Sequence, residues 1–389
     1  MRLRHHSGRV VHLIHGTNVR PARDLPAVVD QLDTYASAIR ARLGVDTLGV
    51  SLWLPPSLAA ALAVDGRART RLRAELDARG LEVVTLSGVP YAEGGGEASS
   101  TPNRSAPDWS DPARLEYTLD LARILVDLLP DDAVRGAVST IGFGRREGWD
   151  SGKEKFCARI LGRLSSGLAE VAWQTGRAVR VGFQPEPGCV LDTAADTVAA
   201  LAKADRERLG VCLDLANLAC TWEDPADALD ALADAGISVI RVEVAAALEV
   251  AQPVAAAETL RGYVDPDHQH QVTNPAGAHV DDLSQALRDF PPGPWRVRYH
   301  VPLQAAPAPP LVSTTDVWRA AVRHLMGGAL PGTEYIDVEA QGFDALPPRE
   351  RLGSPAAVAE ANAAELAYVK NELASLGLAP PAEACALPR

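Results

Sequence analysis

The sequence predicts a closed (β/α)8 TIM barrel with an insertion after its seventh strand, and three observations predict it. Short runs rich in Val, Leu and Ile recur along the 389 residues, separated by alanine- and leucine-rich stretches of helical length. Strands alternating with helices imply parallel pairing, and eight such units close a ring. Several runs place apolar residues on one parity and small or polar residues on the other. Strands of a parallel barrel are covered on both faces, so the polar parity belongs to the axis. Finally, acids stand near the ends of successive runs, where barrel sites are built. The length suits one barrel with insertions, so 1–389 is read as a single domain.

The elements follow in order. Strand runs are VVHLIHGTNV (10–19), TLGVSLWL (47–54), LEVVTLSGV (81–89), GAVSTIGFG (136–144), VRVGFQPEP (179–187), GVCLDLAN (210–217) and ISVIRVEVA (237–245). WRVRYHVPL (295–303) and YIDVEA (335–340) come after them, which makes nine candidates for eight places. One of the nine therefore belongs to an insertion. Region 246–294 is too long for a plain strand-to-helix connection and is read as that insertion: a lid, a dimer contact or a docking surface. EGGGEASSTPNRSAP (93–107) is a Gly/Ser/Pro-rich loop insertion, with Trp109 as its anchor. Asp111-Pro112 and Asp224-Pro225 each offer an N-cap acid followed by proline at the first helical position. A C-terminal helix is expected over 355–377, and His5 and His6 read as a mobile tail.

Composition narrows the function. Net charge is −12 with acids and bases interleaved, which gives no basic face for nucleic acid. Mean hydropathy lies near zero and no apolar run reaches about 18 residues, so no membrane insertion is expected. The N-terminus lacks a signal-peptide core. Five cysteines without CxxC spacing argue against a disulfide framework or a structural zinc, and a cytoplasmic location is the expectation.

Strand parity then gathers the polar residues. Gly182, Gln184 and Glu186 share a face, as do Gly210, Cys212 and Asp214, Arg241 and Glu243, Arg296, Arg298 and His300, and Tyr335, Asp337 and Glu339. Buried charge is costly unless it is paired or bound to metal. Convergent carboxylates plus an imidazole form a hard divalent-cation site, suited to Mn²⁺, Mg²⁺, Fe²⁺ or Zn²⁺. Pro185 and Pro187 stiffen the chain around Glu186; on their own they read as a stiff loop with a solvated acid, and it is the matching ends of the other strands that favour a site. Arg241 and Arg298 fit either a substrate-orienting role or an internal salt bridge to an acid such as Asp337 or Glu243. His15 fits the site or a hydrogen-bonded core position; Trp53 and Tyr91 fit ring stacking or packing. Cys212 is expected below the acids as a small core residue.

HGTNV, LSGVPY, APDW, STIGFG, PEPGCVLDTAADTV, LGVCLDLAN, HQVT, RYHVPL and DVEAQGFDALP stand in this order over about residues 10–375. In that order and spacing the chain resembles the metabolite-traffic protein EboE family, a branch of the xylose isomerase-like (sugar phosphate isomerase/epimerase) TIM-barrel superfamily. The resemblance implies a divalent metal held by Glu186, Asp214 and Glu339 with an imidazole, His300 or His270, and with Glu243 at a further ligand position. It implies catalysis by Glu186 and Glu339 as acid and base on a sugar-like or cyclitol-like metabolite. The chain departs from the family's pattern in reading DLAN where relatives read DVCH, so Asn217 replaces a histidine near substrate or metal. It also reads GTNVRPA, with Arg20 replacing a histidine. A non-catalytic carrier that meets partner proteins of its pathway, or a homodimer, is the second expectation. A metal-dependent oxidative enzyme is the third.

Overall fold

The computed structural model describes residues 1–17, 19, 22–89, 107–265, 270–289, 293–304, 306–340 and 352–380. Arg20, Tyr91 and nearly all of the 93–107 loop lie outside the described residues, as does the side chain of His300.

Strands β1 (Arg2–Arg4), β2 (Val10–Gly16), β3 (Leu48–Trp53), β4 (Leu81–Ser87), β5 (Arg135–Ile141), β6 (Ala178–Gln184), β7 (Leu209–Asp214) and β8 (Val239–Val244) lead up to the insertion. After it comes β14 (Tyr335–Val338). Strands β2 to β8 pair in sequence, all parallel, and β14 closes the ring between β8 and β2. This is the predicted (β/α)8 barrel; β1 lies outside the ring, antiparallel on β2. Each ladder ends a little earlier than the apolar run it belongs to. On β6 the cause is plain: Pro185 and Pro187 offer no N–H, so pairing stops at Gln184.

The surplus candidate is the strand Trp295–Val301, which is not a barrel strand. It is β12 of a second, antiparallel sheet with β9 (Ala246–Val250), β10 (Val272–Thr273), β11 (His279–Val280) and β13 (Val312–Ser313). The insertion therefore runs past 294 to 313, and a helix at Thr315–Met326 returns the chain to β14. Its apolar side joins the barrel's: Trp295, Val297 and Leu248 belong to the same buried cluster as Leu13, Val50 and Val242. Burial of this kind, at about 25 cal/mol per Å² of apolar surface, outweighs any single polar contact between the two sheets.

Local signals worked as physical chemistry requires. Asp111 accepts a hydrogen bond from Ala113 N at 2.9 Å and Asp224 from Ala226 N at 2.9 Å, each before a proline at the start of its helix. Trp109 is fully buried and meets Phe183 edge-to-face at 5.2 Å, so it anchors the chain beyond the 93–107 loop. His5 is a correction. It is buried, with Nε2 2.9 Å from Met326 O, because β1 carries the N-terminus back onto the barrel.

Candidate active site at the barrel mouth

Register stacks the polar parity in layers. Cys212 on β7 pairs with Arg241 on β8; one step up, Asp214 pairs with Glu243, and Glu243 with Asp337 on β14. Glu186 and Glu339 follow the last ladder residues of β6 and β14, at the C-terminal mouth. Five acids from four neighbouring strands thus meet at one end of the barrel. Cys212 lies a layer below them.

Each acid is held by its local chain. Glu186, Pro187, Gly188 and Cys189 form a tight turn closed by Cys189 N donating to Glu186 O at 3.0 Å. Proline at the second place and glycine at φ 77 at the third suit a type II turn, which few other residue pairs can form. The prolines flanking Glu186 therefore both end the strand and set the turn that presents the acid. Asp214 caps the helix Leu215–Cys220, its Oδ1 accepting from Ala216 N at 2.8 Å and Asn217 N at 3.1 Å. Asn217 donates from Nδ2 to Pro185 O at 3.4 Å and so ties the β7 loop to the β6 loop.

Two arginines face these acids. Arg241, fully buried, reaches Ser139 Oγ at 3.1 Å and Glu243 Oε1 at 3.4 Å, and touches Asp337 Oδ2. The internal salt bridge is thus its observed role. Arg298 comes from β12 of the inserted sheet, not from the barrel. Its Nη2 lies 3.3 Å from Glu186 Oε1 and 3.9 Å from Asp214 Oδ2.

Burial dominates the titration of the group. It pushes Glu243 well above the usual carboxylate range, and the negative charge of its hydrogen-bonded neighbour Glu339 pushes the same way. Burial also raises Asp337 to about 6, against the pull of Arg241. Burial works against charge on Arg298, but Glu186 and Asp214 more than offset it and hold it above its ordinary value.

The other expected residues are scattered. His270 is buried in the inserted sheet, with Nδ1 3.2 Å from Arg298 O and its ring against Tyr299 at 4.3 Å. His300 sits on β12, outside the ring, so the seventh barrel strand carries Glu243 at that level instead. His15 pairs in register with Val338 and Val50, opposite in parity to Asp337 and Ser51, which places it on the helix-facing side. Burial lowers its pKa to about 4, so it stays neutral. Trp53, at the end of β3, pairs with Ser87 on the lumen parity and is half-buried. Two contributors had not been singled out: Ser139, whose parity in GAVSTIGFG was visible, and Gln271, which donates to Pro187 O at 3.2 Å. Gln271 stands in an irregular stretch that carries no periodic signal.

Residues 38–289 match the family model described as xylose isomerase-like TIM barrel. The chain belongs to this xylose isomerase-like family. Among curated proteins none matches it in sequence. Solved structures share the fold. A D-tagatose 3-epimerase-like protein superposes with a TM-score of 0.53 at 12% identity, covering 94% of this chain and 98% of its own. D-allulose 3-epimerase from Methylomonas sp. gives 0.51 at 14%, with 93% and 97% covered. D-psicose 3-epimerase from Clostridium cellulolyticum gives 0.51 at 13%, with 93% and 99% covered.

For this member of the xylose isomerase-like family, the expected divalent ion can be tested against the donors present. Among the described residues no three His, Cys, Asp or Glu side chains are grouped to hold one. Glu186 and Asp214 face a guanidinium, and Glu243 faces Glu339 through a hydrogen bond. As placed, these donors do not fit a divalent ion. Among the described residues, too, no helix is long and apolar enough to cross a membrane.

Proposed function

We propose that the chain is an isomerase or epimerase that moves a proton on a sugar-like or cyclitol-like metabolite bound in the barrel mouth. The observation that carries this is the meeting of Glu186 with Arg298, beside acids from three further strands, beneath the inserted sheet. A carboxylate next to a carbon acid can take its proton, and a second on the other side can return one. Glu186 and Glu339 are the candidates for the pair. The guanidinium of Arg298 would meet negative charge as it builds on the carbonyl oxygen. The EboE-like motifs support a branch of the family linked to secondary-metabolite biosynthesis or traffic.

The test is solvent exchange. Ketohexoses such as D-allulose and D-tagatose, which the two named epimerase structures suggest as a first panel, and keto-cyclitols are incubated with the protein in heavy water. Samples with chelator and with added Mn²⁺, Mg²⁺, Fe²⁺ or Zn²⁺ run in parallel. Deuterium entry at the carbon beside the carbonyl is followed by NMR. Exchange is expected with at least one compound, falling at least about a hundredfold in Glu186→Gln and in Glu339→Gln. Saturable binding with no exchange across the panel would favour the second reading, a non-catalytic metabolite carrier. The clamping of Glu186 by Arg298 is the observation on that side.

A further inference from the structure

Among the described residues, the charge that the inserted sheet delivers to Glu186 and Asp214 is the guanidinium of Arg298. Arg298 Nη2 stands between Glu186 on the β6 loop and Asp214 on β7, at 3.3 Å and 3.9 Å. That is the position from which a cation would serve both carboxylates. The Arg298 side chain is only 18% exposed, so the charges act through less screening than surface pairs do. Asp214 meets it with Oδ2, its Oδ1 being engaged by two backbone N–H groups.

Nor is Arg298 a long side chain free to swing from a loose loop. Its own N donates to Gln271 O at 2.8 Å, and its carbonyl oxygen lies 3.2 Å from His270 Nδ1. Gln271 in turn donates to Pro187 O, next to Glu186, at 3.2 Å. The backbone that carries the arginine and the backbone that carries the acid are therefore pinned together. The Nε of Arg298 is buried and has no hydrogen-bond partner among the described residues. A guanidinium carries five N–H donors, so the contacts of Nη2 with the two carboxylates do not use up its capacity to donate.

We propose that Arg298 takes the place of a divalent cation in this barrel: it neutralises Glu186 and Asp214 and offers its remaining N–H groups to neighbouring oxygens of a polyhydroxylated ligand. This rests on the mouth being the ligand site, as in the functional reading above, but not on turnover.

Metal titration tests it. The full chain is stripped with chelator and titrated with MnCl₂ and ZnCl₂ by calorimetry. Wild type is expected to show no saturable site tighter than about 1 mM. Arg298→Met, which keeps length and removes charge, is expected to bind Mn²⁺ at least about tenfold more tightly, because two carboxylates lose their counter-charge. Adding Asp214→Asn to it should abolish that gain. A wild-type protein that takes one ion in the micromolar range, and loses it in Glu186→Gln, overturns the proposal. So does a folded Arg298→Met that gains nothing. Arg298→Gln carries the same expectation should the methionine variant not fold. No arm measures catalysis, so absence of solvent exchange would sink the catalytic reading and leave this result standing, and the reverse.

Discussion

The barrel and the inserted sheet solve the problem of placing charge in opposite ways. The barrel buries its charges against one another: Arg241 and Glu243 of β8 meet Asp337 of the neighbouring β14, with Ser139 of β5 reaching Arg241 from across the axis, all in a closed ring. The inserted sheet is open, with strands as short as two residues, and besides pairing Arg296 with Glu249 within itself it turns two arginines toward the barrel side. Arg298 goes to Glu186 and Asp214, and Arg296 to Ala219 O. The frame is thus set by main-chain ladders, whereas the mouth is completed by side chains from a piece that the ladders do not hold. On the function proposed above, charge at the axis serves stability and charge at the junction meets the ligand.

The sharpest way to break this contrast is at the axis. Arg241→Met leaves Asp337 and Glu243 buried without their guanidinium, which should cost about 3–5 kcal/mol of stability. Urea unfolding reads it. Replacing Asp337 as well, in Arg241→Met, Asp337→Leu, should recover part of the loss, since an uncompensated charge costs more than an apolar pair. A near-silent Arg241→Met would mean that the axial cluster is not what the barrel rests on.

The same contrast explains what the sequence disclosed. Barrel strands are periodic, buried on both faces and flanked by helices, so their places and the parity of Glu186, Asp214, Glu243 and Glu339 could be read directly. The helix starts at Asp111 and Asp224 were equally plain, because N-cap chemistry is local. The inserted sheet was hidden. Val272–Thr273 and His279–Val280 are too short to show alternation, and antiparallel pairing of partners as distant as Val272 and Val297, or Val250 and Trp295, leaves no local mark. WRVRYHVPL alternates as a barrel strand would, so parity alone could not say that Arg298 approaches from outside the ring. His5 escaped for a similar reason, since the carbonyl that meets its Nε2 belongs to the distant Met326.

A second test works at the tether between the two regions. Glu365, on the C-terminal helix Pro355–Ser375, accepts from Leu303 N at 2.7 Å, two residues beyond β12. Burial raises its pKa to about 7, against the pull of that backbone N–H. The folded state therefore keeps a proton that the unfolded chain gives up near 4.5. The stability that the neutral acid contributes is whole below that value and is lost as pH rises through about 7, by up to about 3 kcal/mol. Glu365→Gln should remove that slope: melting temperatures of the two proteins should diverge between about pH 5 and pH 8, with the variant gaining as pH rises. Parallel curves would show that Glu365 is ionised in the fold.

The smallest expected effect discriminates best between frame and cap. Arg296 joins the inserted sheet to the segment after β7 through two contacts, Ala219 O at 2.7 Å and the face of Trp222 at 4.0 Å, and is held within the sheet by Glu249 Oε2 at 2.8 Å. Trp222, held at φ 62, completes the junction by donating from Nε1 to Thr273 Oγ1 at 3.2 Å. Arg296→Ala should cost only about 1–2 kcal/mol, because the apolar cluster under the sheet remains. Its location should be uneven, however. Amide hydrogen exchange is expected to rise in Val272–Thr273 and Trp295–Val301 while β5 to β7 stay protected, since a piece held by side chains opens before a closed ring does. Uniform loosening of both regions would show that barrel and inserted sheet unfold as one unit, and the division of labour between them would have no energetic basis.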